Sequence, residues 1–267
     1  MSKIKNRENL IDGLHINSTY TAIGHFWLIQ QMVNAKEWKF VTDEDASLMS
    51  ALYRVFSKDI QLYNAHHFVS KIDKNKTSKQ KFQEYLEANR YLTEWGASRG
   101  LTTRSLYTLA EHYLREKLKT HHFCKEILLP DKKATVWLNN PLEHPFCPRD
   151  KGSYTVDCRT DSSGLDEQEL ASAIMKVNDH STNSFIQQIR RRLSILERPL
   201  VTASGDGKSY IYANFNPKYA QYALTIFRVY CNFCLPVKGR DKQDLTPAQR
   251  IGLTDKVFEM KDIIYMK

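Results

Sequence analysis

The sequence predicts an α/β fold from three observations. Strand-like and helix-like stretches alternate over the first seventy residues. The helix-like stretches repeat their apolar residues at intervals of three and four. Hydrophobic residues make up 42% of 267, enough for a sizeable core in one large domain or two small ones.

The elements follow in order. Leu10-Ile-Asp-Gly-Leu-His-Ile16 is a short strand-like run broken by Gly13. Asn17, Ser18 or Thr19 can cap a helix over residues 20–34, which carries Ile23, Phe26, Trp27 and Met32 on a broad apolar face. Residues 37–42 read as a strand that ends at Asp43-Glu44-Asp45. A second helix is expected over residues 46–63, with Leu48, Leu52, Val55 and Phe56 inward, and a further strand over residues 67–72. Residues 73–119 are charged and helix-like, with a break expected near Gly96 and Gly100. Strand-like pieces at residues 126–129 and 135–138 then stand among proline-rich loops. A loop from Asp161 leads into a helix capped by an aspartate, over residues 167–176.

The next stretch, Asn183 to Pro199, is an amphipathic helix with a proline stop. Phe185, Ile189, Leu193 and Leu196 fall on one stripe. Arg190, Arg191 and Arg192 are consecutive, so they fan over about 200° of the helix. At least one must flank the apolar stripe while the others reach outward. Residues 201–216 have no clear period. An apolar helix is expected over residues 217–234, in which Tyr219 and Tyr222 share helical spacing and read as core. Thr246-Pro247 fits a helix start, with threonine as cap and proline in the first turn.

Composition narrows the function classes. The net charge is +9 and the pI about 9.2, which favours a polyanionic partner. The excess is spread along the chain, with clusters at residues 71–81, 115–119 and 190–192. No stretch has the length of a membrane span, and the N-terminal residues lack a signal-peptide pattern. Five irregularly spaced cysteines argue against a secreted disulfide scaffold, so the expected setting is reducing and cytoplasmic.

Few motifs carry chemistry. Asp43-Glu44-Asp45 stands at the C-terminal end of a strand, where carboxylates are well placed to hold a divalent cation. The same acids would also suit the positive N-terminus of the helix that follows. Cys231-Asn-Phe-Cys234 is a lone pair, and zinc wants four ligands; Cys147, Cys158 and His144 are the other groups in question. In an apolar helix such cysteines also read as core. Neither His66-His67 nor His121-His122 has metal-ligand spacing, because adjacent side chains point to different faces. Gly205-Asp-Gly-Lys-Ser209 lacks phosphate-loop spacing; it reads as a turn from which Lys208 can reach a phosphate backbone.

Several segments together resemble the C-terminal part of bacterial insertion-sequence transposases of the DDE type, whose catalytic domain is RNase H-like. They are His15-Ile-Asn-Ser-Thr-Tyr-Thr-Ala-Ile-Gly-His-Phe26, Phe40-Val-Thr-Asp-Glu-Asp45, Arg190-Arg-Arg-Leu-Ser-Ile-Leu-Glu-Arg-Pro199, Phe227-Arg-Val-Tyr-Cys-Asn-Phe-Cys-Leu-Pro236 and Thr246-Pro-Ala-Gln-Arg-Ile-Gly-Leu-Thr-Asp255. The resemblance implies an incomplete RNase H-like layer over residues 1–72, a mostly helical insertion over residues 73–165, and a late core helix with a helical C-terminal region over residues 166–267. It implies phosphoryl transfer at DNA ends with Mg²⁺ or Mn²⁺. Asp43 matches the second catalytic acid, with Asp45 as an alternative. Glu197 is the candidate third acid and metal ligand, with Asp179 as its rival, and no acid stands near Asn183. Arg190, Arg191, Arg192, Arg198 and Lys208 are the expected DNA contacts. The strands that carry the first acid in this family have no counterpart here, so a homo-oligomer or a separate N-terminal part is the expected partner besides DNA.

Overall fold

The computed structural model describes residues 18–73, 75–129, 132–196, 200–201, 208–209, 217–239 and 241–265. The strand-like run at residues 10–16 and most of residues 201–216 lie outside these. The chain forms two compact units, Met1–Asn178 and Asp179–Lys267.

The first unit is mixed α/β. It runs α1 (Ser18–Met32), β1 (Trp38–Thr42), α2 (Ala46–Val55), α3 (Ser57–Gln61), β2 (Ala65–Ile72), α4 (Ser78–Ser98) and α5 (Leu106–Leu118). There follow β3 (Cys124–Leu129), β4 (Lys132–Trp137), β5 (Leu142–Glu143), β6 (Tyr154–Cys158) and α6 (Glu167–Met175). The sheet order is β1-β2-β6-β5. β1 and β2 are parallel, as a helical crossover requires, while β6 is antiparallel to both β2 and β5. The β3–β4 hairpin is a separate antiparallel pair. Residues 142–158, expected within an insertion, thus supply two strands to the same sheet as β1 and β2.

Strand alternation sends side chains to two faces. On one face Phe56 and Leu52 of α2 and its end pack with Ala65, Trp38, Phe40 and Phe26. Phe56 is fully buried, with its ring centroid 4.6 Å from Phe40 and 5.0 Å from Trp38. On the other face Phe68, Tyr154, Val156 and Cys158 pack with Leu92 of α4, Leu114 of α5 and Ile174 of α6. α4 and α5 approach closely at Gly96, where an added Cβ would lie 2.5 Å from a methyl of Leu109.

Three expectations are corrected. The helix over residues 46–63 is two helices meeting at Phe56, which serves as the C-cap of α2 and the N-cap of α3. Burial of its ring sets the chain direction there. The break expected near Gly96 and Gly100 is present: α4 ends at Ser98 and closes with Gly100 at φ 69°. Gly100 N–H donates to Ala97 O and Leu101 N–H to Gly96 O, both at 3.0 Å, a Schellman closure. β6 forms where the sequence reads as loop. Tyr219 and Tyr222 are exposed rather than core, because Ala220, Leu224 and Phe227 take the inward side of their helix.

The second unit contains α7 (His180–Arg192), a 3₁₀ turn (Ser194–Leu196), and a two-residue ladder between β7 (Leu200–Val201) and β8 (Lys208–Ser209). α8 (Pro217–Val229) runs on into a π-helical turn, Tyr230–Cys234. β9 (Val237–Lys238) and β10 (Asp244–Leu245) form a hairpin, followed by α9 (Pro247–Arg250) and α10 (Met260–Ile264). Phe185 of α7 stacks on Phe227 of α8 at 5.9 Å.

Candidate nucleic-acid interface and acidic strand end

The acidic strand end is built by three hydrogen bonds in series. Thr42 at the end of β1 spends its hydroxyl proton on the Asp43 carbonyl at 2.8 Å. Its oxygen therefore accepts from His67 Nε2–H, also at 2.8 Å. His67 Nδ1 is left as an acceptor, and the Tyr53 hydroxyl of α2 donates to it at 3.0 Å. His67 is fully buried in β2. Burial first, and the nearby Arg159 charge second, hold its pKa down at about 4. It is a neutral ring of fixed tautomer that ties α2 and β2 to the backbone of Asp43.

The three acids that follow β1 have different tasks. The Asp43 carboxylate is exposed and makes no hydrogen bond or ion pair among the described residues. Glu44 lies 3.2 Å from Lys71 Nζ and accepts from Arg159 Nη2 at 2.8 Å. The hydrogen bond and charge of Lys71, with Arg159 behind them, hold the Glu44 carboxyl below its ordinary range. Asp45 is the N-cap of α2, accepting from Leu48 N–H at 2.9 Å.

Arg159, just past β6, and Asp157 within β6 belong to no sequence motif. Arg159 Nε stands 2.9 Å from Asp157 Oδ2, its guanidinium lies 3.6 Å from the Trp137 ring, and Trp137 Nε1–H donates to Asp157 Oδ1 at 3.1 Å. Burial raises the Asp157 carboxyl above its ordinary range in spite of these partners. The signal is the alternation of apolar and polar residue types in Tyr154-Thr-Val-Asp-Cys158, the pattern of a strand, although burial takes in Asp157 as well.

The basic helix lies in the second unit. α7 contains no Asp or Glu, and all three arginines stand in its last turn. Arg190 is half-buried beside the apolar stripe, while Arg191 and Arg192 are exposed. Arg192 also reaches the Tyr230 ring at 6.0 Å. Asp179 sits at the N-cap position and its carboxylate accepts from the Asn183 side chain at 2.6 Å. Glu197 and Arg198 lie outside the described residues, and Lys208 is described only as part of the β8 backbone.

The metal implied by the resemblance does not fit the described residues alone. Asp43 offers one carboxylate, Asp45 is committed to a helix cap, and Glu44 is turned to two cations. Among the described residues no group of three or more His, Cys, Asp or Glu side chains is arranged to hold a metal ion. The five cysteines are free thiols, and Cys231 is buried in the π-helical turn. His144 is buried and satisfied: Phe146 N–H donates to its Nδ1 at 3.0 Å, and its Nε2 donates to Ile174 O at 3.2 Å. Among the described residues no helix is long and apolar enough to cross a membrane. No family model matches this chain, and no similar protein was found among curated sequences or solved structures.

Proposed function

We propose that the chain is a DNA-binding protein derived from an insertion-element transposase, and that DNA contact through α7 is its retained function. The exposed Arg191 and Arg192, on a helix without an acidic residue, carry this reading. A cationic turn at the end of an exposed helix suits the phosphate backbone, where each contact releases counterions. Arg190 and Arg198 extend the same basic segment. The resemblance supplies the substrate class, DNA ends.

Duplex binding measured by fluorescence anisotropy across a salt series tests the proposal. Alanine at residues 190, 191 and 192 together is expected to weaken binding about equally for all sequences. The salt slope should fall by roughly 0.9 for each phosphate that α7 no longer neutralises. An unchanged affinity and slope would remove α7 from the interface.

A second reading is metal-dependent phosphoryl transfer at those ends. It is favoured by Asp43, a carboxylate at a strand end whose backbone is anchored by Thr42, His67 and Tyr53. It needs acids besides Asp43, with Glu197 the first candidate, and it needs Mg²⁺ or Mn²⁺. On this reading Asp43→Asn abolishes nicking or joining in Mn²⁺ and leaves duplex affinity unchanged. Activity that survives the substitution would dismiss Asp43 as a ligand.

A further inference from the structure

Beside Arg159 is a cleft of about 470 Å³ whose lining joins three aromatic rings, Tyr53, Tyr63 and Trp137, to Arg159, Thr160 and Asp161. A second cavity of about 530 Å³ shares Tyr63 and Asp161 with it. Volumes of this order suit a small planar ligand. Nothing in the proposed contact of α7 with a DNA backbone uses them.

The polar groups are unusually fixed. Arg159 is only 12% exposed in its side chain and is held by Glu44, Asp157 and the Trp137 ring. A guanidinium has five N–H donors. Nη2 and Nε face the two carboxylates, while Nη1 makes no hydrogen bond among the described residues. Opposite in chemistry is Asp161. Thr135 Oγ1 donates to its Oδ2 at 2.7 Å and Ser163 N–H to its Oδ1 at 2.9 Å, with the Cys124 thiol more distant at 3.9 Å. The Ser163 hydroxyl also stands by this carboxylate, and the one hydrogen bond resolved at Oδ2 is that from Thr135, so Oδ2 is the oxygen that faces a ligand.

Tyr63 adds an independent sign. Its φ is 59°, a conformation that costs a non-glycine residue energy and persists only where the surroundings impose it. Gly164 is the surrounding: a Cβ there would lie 2.9 Å from Tyr63 Cβ, so the 162–165 loop seats on this tyrosine because residue 164 has no side chain. The ring stands half exposed at the cleft.

We propose that the cleft takes a single unpaired nucleobase and that Arg159 and Asp161 select one with both a ring carbonyl and an exocyclic amine, guanine or cytosine. The aromatic side chains supply stacking, which every base accepts. Arg159 Nη1 donates to the carbonyl and Asp161 accepts from the amine, the pairings that arginine and carboxylates make with guanine and cytosine in duplex grooves. Thymine and uracil lack the amine, and adenine lacks the carbonyl. The base can come from a free nucleotide or from a DNA strand; in the second case the inference deepens the DNA-binding reading and rests on it.

Titration of the full chain with GMP, CMP, AMP and UMP, followed by calorimetry, tests the selection. GMP and CMP should bind saturably and roughly tenfold more tightly than AMP and UMP. Tyr63→Gly suits that backbone conformation and deletes the ring; it should weaken all bound nucleotides roughly tenfold while the circular dichroism of the fold is retained. Asp161→Asn should erase the preference, since an amide also donates. Hairpins with one unpaired cytosine or one unpaired thymine identify the source. A preference for the cytosine hairpin places the base in a strand, and binding of CMP without that preference places it in a free nucleotide. The variant with alanine at the three arginines should keep CMP binding, so failure of the α7 reading and failure of this one are separable. No saturable binding of any monophosphate, equal binding of all four, or a preference that survives Asp161→Asn would overturn the proposal.

Discussion

The hydroxyl of Thr42 both gives and receives a hydrogen bond, and the state of His67 depends on it. With Thr42 replaced by valine, the buried Nε2–H of His67 loses its acceptor and the Asp43 carbonyl its donor. Leaving a buried donor unsatisfied costs about 1–3 kcal/mol. Thr42→Val should therefore lower the urea midpoint clearly, while Thr42→Ser, which keeps the hydroxyl, should lower it much less. Equal losses from the two would mean that shape, not hydrogen bonding, holds the strand end. At this scale the sequence was uneven. Asp45 was legible in its capping role, because a cap is a relation between neighbours. Arg159 and Asp157 were not, because their roles come from Glu44 and Trp137, distant in sequence and joined by the sheet.

The same contrast appears between elements. The segment Thr246 to Leu253 is read almost whole from local chemistry. Thr246 and Gln249 form a capping box, Pro247 takes the first helical position, and Gly252 closes the turn at φ 71°. Arg250 then ties the helix to the β9–β10 hairpin through Asp241, Val237 O and Gln243 O, at 3.1, 3.1 and 2.8 Å. Thr246 is fully buried, so Thr246→Ala should cost about 1–2 kcal/mol. Arg250→Ala should free the hairpin while leaving the helix capped. Hydrogen exchange separates the two: the first variant speeds exchange in α9, the second in residues 237–245. Exchange that rises equally throughout in both would show that the helix and hairpin open as one piece. By contrast, the end of α2 at Phe56 and the existence of β6 follow from burial against distant residues. A periodicity read along the chain carries no trace of that burial.

Across the first unit the buried histidines set a pH dependence of stability. His67 and His144 each have a pKa held near 4, chiefly by burial, against an ordinary 6.5. Between those values the unfolded chain binds protons that the folded chain does not. Stability from both rings is thus complete above pH 6.5 and is lost as pH falls toward 4. At pH 5 the loss is about 2 kcal/mol for each. His66 and His121, also lowered by burial, act with the same sign. Asp157, raised by burial, acts with the opposite sign, and the lowered carboxyls Glu84 and Asp161 lose their contribution only below their ordinary values of 4.5 and 3.8. All four tryptophans, Trp27, Trp38, Trp95 and Trp137, belong to the first unit, so their emission reports its unfolding alone. Urea unfolding followed by tryptophan emission should show a markedly lower midpoint at pH 5 than at pH 7.5. His67→Asn should narrow the difference between the two midpoints, because its share of the proton uptake is gone. Midpoints that coincide at the two pH values in the unaltered chain would mean that these rings are protonated in the fold. In the Thr42–His67–Tyr53 series both ring nitrogens would then donate, with the Tyr53 oxygen as acceptor, and the strand end would have another role.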